Sequence, residues 1–133
     1  MKNIVETAKS VGNFQTLLKA VQAAGLEDVL SGKGPYTVFA PNDEAFSKIP
    51  SEKIDQLLND IPRLKDILQY HVVQGKVLSK RVKKMKEART VQGQELHIDS
   101  SEGVKIEDAN VIQPDIKCKN GVIHVIDRVI MPR

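Results

Sequence analysis

The side chains best suited to acid–base or metal chemistry in this sequence are three histidines, His71, His97 and His124, and one cysteine, Cys118. No two histidines stand at the short helical spacing of a zinc protease, and no second cysteine completes a Cys/His cluster or a disulfide. A metal centre is not expected. His71 and His124 lie in apolar, β-prone runs, where a neutral imidazole donates one hydrogen bond and accepts another, so both read as satisfied structural groups. Cys118, between Lys117 and Lys119, reads as a loop thiol whose pKa the adjacent charges would lower. No serine sits in a Gly-x-Ser-x-Gly elbow, Ser100-Ser101 reads as a turn, and Gly32-Lys33-Gly34 lacks the spacing of a phosphate loop. With no catalytic constellation and no cofactor motif, a non-enzymatic chain is expected.

What remains is surface chemistry. Lys76, Lys80, Arg81, Lys83, Lys84, Lys86 and Arg89 place seven positive charges within fourteen residues, opposed there by Glu87 alone. Such a run either is a solvated face or attracts a polyanion: an acidic polysaccharide, an anionic lipid surface or a nucleic acid. No aromatic residues are interleaved to stack bases, which argues against nucleic acid. The second candidate is Pro114-Asp115-Ile116. An exposed carboxylate beside an apolar side chain suits a protein contact, since the charge orients and the apolar neighbour adds buried area. The competing reading makes Ile116 a core residue at the start of a strand after proline.

The elements that must position these residues follow from periodicity. Phe14, Leu17, Leu18, Val21 and Ala24 recur at spacings of three and four, which predicts a helix with Asn13 as N-cap and Gly25 as its stop. Ile4, Val5 and Ala8 predict a short helix before it, and Leu26 to Leu30 a further turn after it. The turn cluster from Ser31 to Pro35 then gives way to Tyr36-Thr37-Val38-Phe39-Ala40, a buried strand ended by Pro41, with Asn42 or Asp43 capping the next helix. Ile54, Leu57, Leu58, Ile61, Leu64, Ile67 and Leu68 predict a helix pair over Ser51 to Tyr70, Pro62 opening the second member at its first position.

Short β-prone runs follow at His71–Val73, Arg89–Val91, Glu95–Asp99, Val104–Ile106, Ala109–Ile112 and Gly121–Val129, separated by turns at Gly75, Gly93, Glu102-Gly103 and Asn120-Gly121. Val122 to Ile126 is apolar on both faces and reads as a central strand. Helices first and strands later predict an α+β fold.

The chain's 133 residues, 41% of them hydrophobic, fit one domain over 1–133. Aromatics are only 4%, so the core is aliphatic and a ring-stacking carrier is disfavoured. The net charge of +3 says little about partners, which leaves local clusters to decide. No run approaches the roughly 18 apolar residues of a membrane span, and the first six residues carry no apolar signal-peptide centre.

Three boxes in order carry a resemblance. Thr37-Val38-Phe39-Ala40-Pro41-Asn42-Asp43-Glu44-Ala45-Phe46, Tyr70-His71-Val72-Val73, and Asn120-Gly121-Val122-Ile123-His124-Val125-Ile126-Asp127, followed by Pro132, resemble the signatures of fasciclin domains. In these boxes Thr37, Phe39, Pro41, Asn42, Tyr70, His71, Gly121 and His124 are the structural positions. The resemblance implies a fasciclin-like fold of two packed β-sheets at an angle, with N-terminal and central helices along one edge. It implies an adhesion or interaction module, secreted or at the cell surface, binding a protein or glycan. In some family members a matching Asp-Ile pair and the tyrosine-histidine box are linked to integrin-type receptor binding, and Asp115 and Ile116 match that pair. The apolar setting of Tyr70 and His71 favours burial over contact. Two alternatives stand beside the adhesion reading: a carrier of an apolar, pigment-like molecule in a groove between helices and sheet, as in some family members, and a polyanion-binding domain acting through residues 76–89.

Overall fold

The computed structural model describes residues 2–32, 34–101 and 103–130. Pro132 and the turn residues Lys33 and Glu102 lie outside them. The chain opens with α1 (Ile4–Val11), α2 (Gln15–Ala24) and α3 (Glu27–Ser31). A capping box starts α1: the Glu6 N–H donates to the Asn3 side chain and the Asn3 N–H to the Glu6 carboxylate. The apolar stripe of α2 buries Leu17, Ala20, Val21 and Ala24, and the helix stops at Gly25 with φ 71°.

Asn13 does not cap α2. Phe14 occupies that position without a side-chain bond, because its ring is fully buried in the core. The cap comes from 27 residues away instead: the Thr16 N–H donates to Asp43 Oδ1 at 2.9 Å, and the Asp43 N–H donates to the Asn13 carbonyl at 2.7 Å. Asn42 and Asp43 thus divide two tasks. Between β1 (Tyr36–Pro41) and α4 (Asp43–Ser47), Asn42 accepts the Ala45 N–H at 2.8 Å and caps the helix that follows it.

The helix pair is α5 (Ser51–Leu58) and α6 (Ile61–Gln69). Asp60 caps α6, which moves Pro62 to the second helical position rather than the first, still within the turn where an N–H has no partner to lose. The remaining elements are β2 (Val72–Gln74), α7 (Ser79–Val82), β3 (Glu87–Arg89), β4 (Glu95–Asp99), β5 (Lys105–Ile106), β6 (Ala109–Cys118) and β7 (Gly121–Ile126). The short α7, inside the basic run, has no counterpart in the periodicity. Among the described residues no helix is long and apolar enough to cross a membrane.

The fold is α+β, and its two layers belong to one hydrogen-bonded order, β2-β1-β7-β6-β5-β4-β3. β1 and β7 run parallel with Phe39 opposite His124; the other pairs are antiparallel. The sheet curls until its outer strands touch at a single bridge, Val73 to Thr90, where the Val91 N–H donates to the Val72 carbonyl at 2.7 Å. Side-chain alternation along the central strands then feeds two cores. Val38, Ala40, Ile123 and Val125 face the helices, while Phe39 and Ile126 face the inside of the curl with Tyr70, Leu96 and Ile106. Gly121 permits the close approach of β1 and β7, since a Cβ there would lie 1.9 Å from the Tyr36 carbonyl oxygen.

β6 extends well past the expected Ala109–Ile112. It passes through Pro114 by shifting register between Val111 and Gln113 and again between Gln113 and Ile116, with Asp115 at φ 59°. A bulge is where a strand tolerates a residue with no N–H to give. The expected break at proline is therefore a bend, and Cys118 is the buried end of β6 rather than a loop residue.

Candidate functional site

Residues from the first and third signature boxes, joined by Asp115, converge on the five-residue segment from Gly75 to Ser79, which leads into the basic run. Thr37, on β1, donates its hydroxyl to the Gly75 carbonyl at 2.7 Å and accepts the Val77 N–H at 2.8 Å. His124, on β7, holds the Val77 carbonyl through Nε2 at 2.7 Å, and the Asp115 N–H donates to His124 Nδ1 at 3.2 Å. An imidazole nitrogen that accepts carries no proton, so His124 is the Nε2–H tautomer and neutral. Burial lowers its pKa against the opposing pull of the Val77 bond and the Asp115 charge. The ring also stacks on Phe39, centroids 5.5 Å apart.

Asp115 completes the arrangement from β6. Its carboxylate receives the Ser79 N–H at 2.8 Å and the Ser79 hydroxyl at 2.5 Å, which satisfies the N-terminus of α7. Its slight burial opposes the charged form, but the two Ser79 bonds, with His124 and Lys117 nearby, hold the carboxyl below its ordinary value. The Asp115 backbone is strained by its positive φ, and this carboxylate-to-helix bond is what the strain accompanies. Ile116, half-buried, packs against the helical core. The Asp115 carboxylate is thus engaged by α7 while Ile116 packs in part against the helical core.

Tyr70 and His71 are 0% and 2% exposed, inside the protein. The Tyr70 hydroxyl reaches Glu107 and the Glu95 carbonyl. His71 receives the Ile130 N–H on Nε2 at 3.1 Å and bonds the Ile67 carbonyl through Nδ1 at 2.7 Å, which fixes the opposite tautomer from His124. Burial outweighs the Ile67 bond and lowers its pKa to about 4. Cys118 differs from the lowered pKa expected of a loop thiol. Burial raises it, against a Thr7 hydrogen bond and the Lys76 charge.

The basic run is built on alternating anchors and charges. Val77, Val82 and Ala88 are buried in the inner core, while Lys76, Lys80, Arg81, Lys83, Lys84, Lys86 and Arg89 are all exposed. Among the described residues none of these seven cations has a carboxylate within ion-pair distance; the ion pair present is Lys9 to Glu27. Sequence reasoning placed Asn120 in a turn at the head of the third signature box and gave its side chain no role. Its side chain accepts the Ile4 N–H at 2.9 Å and donates to the Leu30 and Gly32 carbonyls at 2.7 Å, tying α1 and α3 to the head of β7.

Two apolar cavities beneath the helices measure about 20 and 40 Å³. Pockets for drug-sized ligands run to roughly 300–1,000 Å³. Among the described residues no cluster of three or more His, Cys, Asp or Glu side chains is placed to hold a metal.

Comparison with known proteins agrees with this architecture. The family model described as "Fasciclin domain" matches residues 12–132. The protein sll1735 of Synechocystis is 49% identical over 98% of this chain and 98% of its own length. The cell surface glycolipoprotein MPB83 of Mycobacterium bovis is 37% identical over 80% of this chain and 48% of its own length, so the chain spans about half of that relative. The solved structure of a FAS1 domain pair from the insect cell adhesion molecule Fasciclin I superposes with a TM-score of 0.84 at 20% identity, covering 98% of this chain and 51% of that one.

Proposed function

The chain belongs to the fasciclin domain family, and from that premise we propose that it is a non-enzymatic interaction module, displayed at a cell surface or in a matrix, that holds a protein or glycan partner. The observation that carries the reading is the division between its polar groups. Thr37, His124, Asp115 and Ser79 bond to one another or to the segment between them, whereas the seven cations that this segment supports face solvent and, among the described residues, have no ion-pair partner. An acid–base or nucleophilic group must reach a reacting atom, and here the imidazoles of His71 and His124 are committed at both nitrogens. The small apolar cavities favour a surface partner over a carried pigment. The relative named as a cell surface glycolipoprotein, and the fold shared with a cell adhesion molecule, support a surface setting.

The test is to coat latex beads with the domain and count their attachment to the cells that express it, beside beads coated with an inert protein of equal net charge. Attachment above that control is expected. Equal counts for both coatings would sink the proposal.

A further inference from the structure

We propose that the open groove where β2 and β3 meet binds an acidic peptide segment that also carries apolar side chains; the inference rests on the interaction-module reading and names its partner chemistry. The groove encloses about 560 Å³, within the range of ligand pockets. Its lining includes Val73, Val77, Met85 and Val91, with Arg81 and Arg89 among the polar members. Val91 is 37% exposed, so apolar surface is open to solvent there.

Three features select the partner. The guanidinium groups of Arg81 and Arg89 offer planar, forked donors that match a carboxylate, and among the described residues neither has one within ion-pair distance. Glu87, the acidic residue within the run, has its carboxyl pKa raised by the neighbouring Glu95 carboxylate, which weakens its claim on the cations beside it. Lys80, Lys83, Lys84 and Lys86, exposed in the same run of chain, add positive charge that favours the approach of an acidic ligand. A glycan of the same charge would be favoured by an aromatic platform; the groove lining contains no aromatic side chain and five aliphatic or thioether ones instead. Its walls are set by Thr37 and His124, which fix Gly75 and Val77, so little ordering is left for binding to induce.

The experiment is fluorescence anisotropy with a labelled hexapeptide of alternating aspartate and leucine, beside its asparagine–leucine counterpart and a heparin hexasaccharide. Saturable binding of the acidic peptide is expected, weakened roughly tenfold by Arg81→Gln or Arg89→Gln, as loss of a charge-assisted pair predicts. Val91→Ser should weaken it about threefold through lost apolar contact. Circular dichroism melts of each variant verify folding, and amide shifts at Gln74, Gly75 and Thr90 locate the peptide. Absence of saturation by about 1 mM peptide overturns the proposal. So does a heparin fragment that binds more tightly, responds to Lys83→Glu and Lys84→Glu and ignores Val91→Ser, because that pattern describes a diffuse polyanion face. Either failure leaves the bead assay untouched, so the groove can fail while the interaction module stands.

Discussion

Ser79 donates its backbone N–H and its hydroxyl to the Asp115 carboxylate, 36 residues further along the chain, at 2.8 and 2.5 Å. This pair links the two surface features that the sequence presents as separate, the basic run and the Asp-Ile dipeptide. It gives Asp115 a role in holding α7 and gives α7 a cap that its own preceding residue, Leu78, has no side chain to supply.

Asp115→Ala therefore costs about 0.5–2 kcal/mol, the usual range for a lost helix cap. Ser79→Ala keeps the backbone bond and should cost less, and the double variant little more than Asp115→Ala alone, since the hydroxyl bond is then removed twice. Urea denaturation of the four proteins measures the coupling. Full additivity would separate the two side chains energetically.

His124→Ala removes the partner of the Val77 carbonyl and of the Asp115 N–H together and leaves a cavity beside Phe39. The unpaired groups cost about 1–3 kcal/mol, with a cavity contribution added. Amide exchange at Val77 and Ser79 should quicken more than exchange in α1. A variant that melts like the parent would remove His124 from the scaffold.

His71 makes stability depend on pH. Its folded pKa of about 4 lies below the unfolded value of 6.5, so the unfolded chain binds the proton first and stability rises with pH across that window. Acidifying from 6.5 towards 4 should remove on the order of 3 kcal/mol, and His124, shifted in the same direction, adds to the loss. Asp115 and Asp127, with lowered pKa values, withdraw their stabilisation only at lower pH, as each carboxylate is protonated through its folded value. Chemical denaturation at three pH values between 7 and 4 checks the sign; stability unchanged over that span would contradict the buried, neutral assignment of His71.

Gly121→Ala places a methyl group 1.9 Å from the Tyr36 carbonyl oxygen and must part β1 from β7. A loss of about 1–3 kcal/mol or more is expected. Gly12→Ala meets open space but a φ of 87°, so it is strained without a clash and should cost less. Comparing the two melting temperatures tests the distinction.

Charge reversal at Lys83 or Lys84 should leave stability within about 0.5 kcal/mol of the parent. Any change should be towards higher stability, because the seven cations of the run repel one another and none is in an ion pair among the described residues. A clear destabilisation would reveal a structural role for these lysines.

How much of this was legible from the sequence depended on the range of the interaction. The α2 stripe, the Asn42 cap and the buried run from Val122 to Ile126 rest on nearest neighbours and on period, which a sequence carries directly. The Asp43 cap on α2, the Asn120 clamp and the Ser79–Asp115 pair join residues 27 or more apart, and no local signal distinguishes such side chains from ordinary turn formers. The β6 bulge escaped because proline is a strand terminator in most settings and is admitted here only by two register shifts. The basic run and the Asp-Ile dipeptide were visible as residues, but their connection through α7 was not.

The single bridge between Val73 and Thr90 also bears on life at high density. A sheet with a long bare margin recruits strands from its neighbours and grows into fibres. In this chain the two outermost strands are three residues each and turned towards one another. Copies brought close together would find scant backbone at this margin to pair with.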